Sequence, residues 1–280
     1  MGARPWARSV AIGWLGLVVL VALLAPMLPL PYQPGVPDLE ALARPPLSGG
    51  AHWLGTDAQG LDVLAQLTYG ARTAVLLTVP AAVLAALLGT LLGSVAGYWG
   101  NYGRVPLDAL LLGAATGLDT IPRLVLVVAL AASTGLTGPG LLALMALTSW
   151  PHPARLVRAQ MLRVRRLSFV EAAEAGGLPA WRVLWRHALP HAVEPLRAAL
   201  PLSLAGLLGL ESTLSFLGVG LPPDVASWGR LLAGIQNEPG AWWVAVFPLL
   251  MLAGCTLSLQ ALSQPEPDYR HESPARVSSL

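Results

Sequence analysis

Long stretches without a charged residue are the strongest pattern in this chain. Residues 9–37, 73–103, 124–154 and 239–265 carry no Asp, Glu, Lys or Arg. A helix needs about 20 predominantly apolar residues to cross the hydrocarbon core of a bilayer, and each stretch is long enough. The pattern therefore predicts several membrane-spanning helices.

Two further apolar regions contain charged residues. Residues 107–133 hold Asp119 and Arg123, and residues 196–217 hold Glu211. Ionisable groups at membrane depth are costly, so these three side chains are candidates for lining a pathway or for interhelical polar contacts.

The sequence Gly-Leu-Thr-Gly-Pro-Gly at residues 135–140 predicts a turn inside the 124–154 stretch and divides it. The chain is therefore predicted to be an all-α polytopic membrane protein with six transmembrane helices. The predicted spans are residues 9–30, 73–98, 107–133, 139–158, 196–217 and 241–262.

The composition agrees with a lipid environment. Charged residues make up 11%, against roughly 25% in ordinary globular chains. The net charge of +2 is too small and scattered to suggest a nucleic-acid partner. All 17 basic residues are Arg, so the chain lacks the lysine of a Walker A loop, and another chain must supply any ATP hydrolysis.

The arginines also predict the orientation, because cytoplasmic loops carry an excess of Lys and Arg. If the N-terminus is inside, seven arginines lie in the cytoplasmic segment 155–190, whereas Arg44 and Arg230 lie outside and Arg72 lies at a boundary. Both termini are therefore predicted to be cytoplasmic. The predicted divisions are an N-terminal anchor helix with an extracytoplasmic segment (1–72), a five-helix core (73–262) and a disordered cytoplasmic tail (263–280).

The segment 155–195 is a long, arginine-rich polar connection between predicted spans. Residues 168–171 have the spacing of a capping box and predict a helix start, and the glycine pair 176–177 predicts its end. A second helix is predicted from Pro179 to Pro190. A two-turn helix is unstable alone in water, so either this bundle or another protein must hold it.

This segment carries a resemblance. Glu171-Ala-Ala, followed by Gly177 and by Leu189-Pro190, resembles the EAA motif of ABC importer permeases. Other segments resemble the dipeptide/oligopeptide/nickel group of these permeases: His52-Trp-Leu-Gly-Thr-Asp57, Trp150-Pro151, Leu214-Ser-Phe-Leu-Gly218, Ser227-Trp-Gly229 and Ala241-Trp-Trp243.

The resemblance implies that the EAA loop at 163–190, between the fourth and fifth spans, contains a coupling helix. This helix would sit in a groove of an ATPase subunit. Glu171 would be the polar contact and helix cap, Ala172 and Ala173 the close-approach surface, and Gly177 the corner. Leu189 and Pro190 would return the chain to the fifth span.

The resemblance also implies the assembly and its location. The chain would be a multi-pass protein of the bacterial inner membrane that forms the pathway for peptides or a related small solute such as nickel. Its partners would be a second permease subunit, two ATP-binding-cassette ATPase subunits and an extracytoplasmic solute-binding protein. ATP and Mg would bind the ATPase subunits, so this chain would be no enzyme and would bind no cofactor.

The residues leave other functions open. Asp119 and Arg123 are four residues apart and can pair with each other, or they can line the pathway. Glu211 can bond to a neighbouring helix or face the pathway. The three together define the alternative, an ion-coupled secondary transporter, although no inverted repeat is visible. No metal site is predicted at His187 and His191, because Pro190 interrupts the helix between them.

Smaller motifs complete the expectations. Gly89, Gly93 and Gly97 allow close helix contact, either within the bundle or with a second permease, as do Gly113 and Gly117. Further predictions concern helix N-caps at Thr56 and Asp57 and interfacial anchors at Trp242 and Trp243.

Overall fold

The computed structural model describes residues 5–48, 51–100, 107–135 and 137–264, and these residues are mostly helical. Within these described residues, four helical segments are long and apolar enough to cross a membrane. Helices α3 (Leu107–Thr120) and α4 (Arg123–Thr134) form a fifth only if the pair, bent by 79°, is one span. The four segments are Trp6–Met27, Val63–Trp99, Leu196–Phe216 and Trp243–Ser263.

The predicted number of six spans is not confirmed. The third predicted span is broken at Ile121 and Pro122, because Pro122 has extended backbone geometry and interrupts the helix. The fourth is divided into α5 (Gly138–Ser149) and α6 (Pro151–Val164), which meet at Trp150. The predicted turn before α5 is present, with Gly135 in the left-handed conformation that glycine tolerates.

Helix α1 (Pro5–Leu24) is followed by a short 3₁₀ turn (Ala25–Met27) and by an irregular segment, residues 31–62. We call residues 31–62 the outer segment, because they are predicted to be extracytoplasmic. His52 lies at its centre, with one ring nitrogen 2.9 Å from Asp62 and the other 3.2 Å from Asp38. The ring of Tyr32 stacks on His52 with centroids 3.8 Å apart, so this segment has its own small polar core.

Helix α2 (Val63–Trp99) is the central element of the fold. At 37 residues it is about 55 Å long, well beyond the roughly 30 Å hydrocarbon core, so it extends out of the membrane. The predicted N-caps are wrong: Asp62 caps α2 by accepting a hydrogen bond from the Ala65 N–H at 2.7 Å. Asp57 instead accepts bonds inside the outer segment, and its burial raises its pKa.

The glycine stripe of α2 packs inside the bundle. A Cβ atom added to Gly89 would lie 2.7 Å from Pro153 of α6, and one added to Gly93 would collide with the Ala154 carbonyl. Gly97 lies equally close to Met161. These glycines therefore allow α2 and α6 to touch along their backbones. In contrast, nothing lies within 4 Å of a Cβ added to Gly113 or Gly117 of α3.

Helix α6 leads to α7 (Ser168–Ala175), and then to α8 (Ala180–Arg182), a π-helical turn (Val183–Ala188) and α9 (Leu189–Ala192). The chain returns through α10 (Leu196–Phe216), α11 (Trp228–Ala233), a 3₁₀ turn (Gly234–Gln236) and α12 (Trp243–Ser263). The predicted tail lies outside the described residues from position 265 onward, as do Arg4 and Arg104.

Two tryptophans connect α11 and α12 to the outer half of the bundle. The indole N–H of Trp228 donates to the Leu67 carbonyl at 3.0 Å, and the ring packs against Gly70 of α2. The indole N–H of Trp243 donates to the Thr56 carbonyl at 2.9 Å. Trp243 is buried, so its predicted role as an interfacial anchor is wrong, whereas Trp242 is exposed.

Candidate functional site

Helix α7 has one face held by its own bundle and another left free. Val170 is fully buried in a cluster that includes Met161 of α6 and Leu184 of the π-helical turn. The predicted capping box does not form, because the N-cap of α7 is Leu167 and no side chain bonds its free amides. Apolar packing on one face therefore holds this two-turn helix in place.

The free face of this loop combines apolar side chains with charged ones, since Arg163, Arg166, Arg182 and Arg186 are also exposed there. Glu171 and Ala172 are exposed, whereas Ala173 is half-buried and packs against the Val170 cluster. Trp181, in the helix that follows, exposes 58% of its surface. We give the name coupling surface to a subset of the exposed residues of this loop, namely Leu167, Phe169, Glu171, Ala172, Ala175, Trp181 and Trp185.

Helix α7 ends where the sequence predicts. Gly177 follows it with a φ of 78°, in the left-handed region that glycine occupies without strain. Nothing lies within 4 Å of a Cβ added there, so the backbone conformation alone requires the glycine.

The predicted helix end at Pro190 is wrong. Pro190 lies inside α9, which continues to Ala192. Proline cannot donate a backbone hydrogen bond, and the π-helical turn before it shifts the pattern, so that the Leu189 N–H reaches the Leu184 carbonyl. Leu189 is half-buried against the Val170 cluster and Pro190 is exposed.

A hydrogen bond joins α7 to the far end of α2. The hydroxyl of Tyr98 donates to the Glu174 carboxylate at 2.6 Å, and the Tyr98 side chain is fully buried. Arg165 donates to the Tyr98 carbonyl at 2.8 Å, and its guanidinium lies 5.4 Å from the centroid of the tyrosine ring. Local sequence motifs gave no indication of this contact, because 76 residues separate Tyr98 from Glu174.

Asp119 and Arg123 do not form the ion pair with each other that their spacing in the sequence allows. Asp119 forms an ion pair with Arg155 of α6, and Arg123 donates to the Ser149 hydroxyl at 3.3 Å. The break at Pro122 separates the two residues, because an (i, i+4) contact requires a continuous helix.

Glu211 lies in a different environment from Asp119 and Arg123. It is buried, and its carboxylate accepts bonds from the hydroxyls of Ser215 at 2.8 Å and Ser212 at 3.3 Å, both on its own helix. The structure thus does not bring Asp119, Arg123 and Glu211 together as one ion-coupling set.

Arg123 lines a cavity of about 260 Å³ between α2, α5, α6 and α10. Ser149, His152 and Ser203 add polar groups to its wall, and the rest of the wall is apolar, with alanines of α2 and mainly leucines of α10. Sequence reasoning singled out Arg123, but it missed His152 and the two serines, which no local motif distinguishes.

Comparisons with known proteins agree on one family. A family model described as binding-protein-dependent transport system inner membrane component matches residues 73–267. A probable peptide ABC transporter permease of Sinorhizobium fredii is 38% identical over 255 residues, which cover 90% of this chain and 82% of that protein. A putative peptide transport system permease of Brucella suis is 35% identical over 262 residues, covering 91% and 83% respectively.

The fold also resembles a solved structure. An inward-facing conformation of the MetNI methionine ABC transporter contains a chain that superposes with a TM-score of 0.59 at 17% identity. The match covers 71% of this chain and 93% of that one. With a family match over most of its length, the chain belongs to the inner-membrane components of binding-protein-dependent transport systems.

Proposed function

We propose that this chain is the permease subunit of an ATP-driven importer of peptides, and that the coupling surface docks on a separate ATPase subunit. The observation that carries the proposal is the two-sided environment of α7. One face packs on the bundle through Val170, while Glu171 and Ala172 remain exposed, as do Trp181 and Trp185 of the same loop. Exposed aromatic side chains around a small-residue surface are typical of protein interfaces.

The proposed mechanism transmits movement from the ATPases to the membrane. ATP and Mg bind the ATPase subunits, whose closure moves α7. The Tyr98–Glu174 bond and the packing of Val170 pass this movement to α2 and α6. The pathway then alternates between inward-open and outward-open states, and the solute biases them only through its different affinity for each.

Peptides are the proposed cargo because the relatives from Sinorhizobium and Brucella are named as peptide permeases. A second permease is proposed to complete the pathway. One feature of the described residues supports it: the open glycine face of α3, at Gly113 and Gly117, allows a helix of another chain to approach closely. An extracytoplasmic binding protein would deliver the peptide to the side of the outer segment.

Site-specific crosslinking tests the docking. Cys255 is the one cysteine of the chain and is buried, so a Cys255→Ser background leaves single introduced cysteines to react. Ala175→Cys on the coupling surface is expected to crosslink to a nucleotide-hydrolysing protein in native membranes. Leu47→Cys in the outer segment, 88% exposed, is the matched control and is expected not to. If Ala175→Cys also gives no such product, the docking proposal is wrong.

The same two variants test the orientation. An impermeant thiol reagent added to intact cells is expected to label Leu47→Cys and to spare Ala175→Cys. Opening the cells should expose both positions. The reverse labelling would contradict cytoplasmic placement of α7.

A further inference from the structure

The cavity beside Arg123 lies among helices of which α2 and α10 are long and apolar enough to cross the membrane. Its α2 wall is formed by Ala82, Ala85 and Ala86, which stand near the centre of the predicted span 73–98. Its α10 wall is formed by residues of the first part of that helix, from Leu196 to Leu207. A cavity with polar groups between such helices is a candidate for part of the solute pathway.

Arg123 lines this cavity without a direct ion pair among the described residues, although Asp119 is near enough to attract its charge. Asp119 is paired with Arg155, and within the described part of the chain the Arg123 guanidinium bonds only the Ser149 hydroxyl. That hydroxyl in turn donates to the Met145 carbonyl at 2.6 Å, so the serine is held in place by its own helix. An arginine exposed at membrane depth must face water, a ligand or another protein chain rather than lipid.

The other residues that line the cavity are suited to binding one end of a ligand. His152 is exposed and lines the same cavity, and Ser203 adds a second hydroxyl. The other lining groups are apolar, namely alanines of α2, Pro153, Gly206 and four leucines of α10, so they offer no polar group that would select a particular side chain. A planar guanidinium with nearby hydroxyl and imidazole groups matches a carboxylate, which accepts two parallel hydrogen bonds from arginine.

We infer that this cavity is a transient binding site for the C-terminal carboxylate of the peptide in transit, with Arg123 as its main contact and Ser149 as the group that orients the guanidinium. The inference rests on the proposed peptide transport. The C-terminal carboxylate is a group that all unmodified peptides share. Binding this group therefore places no requirement on the side chains of the peptide.

The test compares two cargoes in membrane vesicles that contain the complete transporter and its binding protein. The probes are radiolabelled trialanine with a free carboxylate and the same tripeptide with a C-terminal amide. Arg123→Gln is expected to lower the uptake rate of the carboxylate form by at least about tenfold and that of the amide less than twofold. Arg123→Lys keeps the charge without the planar fork, and an intermediate loss is expected.

A protection assay gives a second measurement that does not depend on amide uptake. In the Cys255→Ser background, Ser203→Cys is expected to react with a small thiol reagent, and the carboxylate tripeptide should slow this reaction more than the amide does. Adding Arg123→Gln should abolish that difference. Ser149→Ala should weaken the protection, whereas Ser133→Ala, whose hydroxyl bonds only its own helix on α4, should not.

The outcomes separate the two proposals. If Arg123→Gln slows uptake of both tripeptides equally and protection is unchanged, Arg123 contacts another chain or supports the fold, and the inference is wrong. If the wild-type transporter takes up neither tripeptide, the proposed peptide transport itself is contradicted.

Discussion

The hydroxyl of Tyr98, at the end of the longest helix, donates to the carboxylate of Glu174 on α7. Since Tyr98 is fully buried and Glu174 is half-buried, this bond fixes the position of α7 relative to α2. Through this contact, a displacement of α7 by the proposed docking partner would be transmitted to α2.

Tyr98→Phe removes the hydrogen bond and keeps the ring. The expected result is slower peptide uptake at unchanged ATP hydrolysis, because α7 is held less firmly to α2. The loss of stability should be small, about 1 kcal/mol. Simultaneous assays of uptake and hydrolysis in vesicles measure the coupling ratio. Glu174→Gln, which retains an acceptor, is the milder companion variant, and a normal ratio in both would count against the role of this bond.

Gly177→Ala places a Cβ on a residue whose φ is 78°. The strained conformation should cost about 1 kcal/mol and change the direction in which the chain leaves α7, although no neighbouring atom obstructs the added methyl. We expect normal insertion into the membrane and reduced uptake. Gly138→Ala is a suitable control, since a Cβ there also meets nothing within 4 Å and φ is not positive. Wild-type uptake by the Gly177 variant would exclude the glycine as a required corner.

Gly93→Ala should destabilise the bundle, because the new methyl collides with the Ala154 carbonyl of α6 and the two helices must separate. Overpacking of this kind costs typically about 1–3 kcal/mol. Gly117→Ala on α3 meets nothing within 4 Å and should be neutral or stabilising, because alanine is the better helix former. Thermal unfolding in detergent distinguishes the two, and similar melting temperatures would show that the α2–α6 contact is looser than described.

The outer segment should respond to acid through Asp38. A hydrogen bond from His52 and another from the Glu40 N–H hold the pKa of Asp38 below its usual value. A carboxyl with a lowered pKa contributes stability above its ordinary pKa of about 4, and that contribution is lost as the pH falls through the lowered value. The burial of Asp57 acts in the opposite direction, because a raised pKa favours the protonated folded form.

Hydrogen exchange of residues 38–44 checks this expectation. Protection should decrease below about pH 4 in the wild-type protein after correction for the intrinsic rate. Asp38→Asn lacks the titrating group, so the difference between the two proteins isolates Asp38 from Asp57. An identical pH profile in both would contradict the proposed contribution.

The long spans could be predicted because their cause is local. The apolar stretches at 9–30, 196–217 and 241–262 correspond to helices that lie within three residues of those bounds. Gly177, after α7, could be predicted for a similar reason, since only glycine occupies the left-handed conformation readily. In these cases the residues that determine the local structure are close together in the sequence.

Other features depend on parts of the chain that are distant in sequence. Asp119 pairs with Arg155, 36 residues away, rather than with Arg123, and the Tyr98–Glu174 bond spans 76 residues. The π-helical turn that lets Pro190 remain within a helix follows from packing of the loop against α6. Local spacing cannot rank such partners, because it contains no information on which helices become neighbours.

The closeness of α2 and α6 has a consequence for transport. With Gly93 against the Ala154 carbonyl and Gly97 against Met161, no room is left for one helix to slide or roll on the other. Helix α7 is attached to one end of this pair, to α6 through the packing of Val170 and to α2 through Tyr98. We therefore expect α2 and α6 to move together with α7, as one unit, during transport.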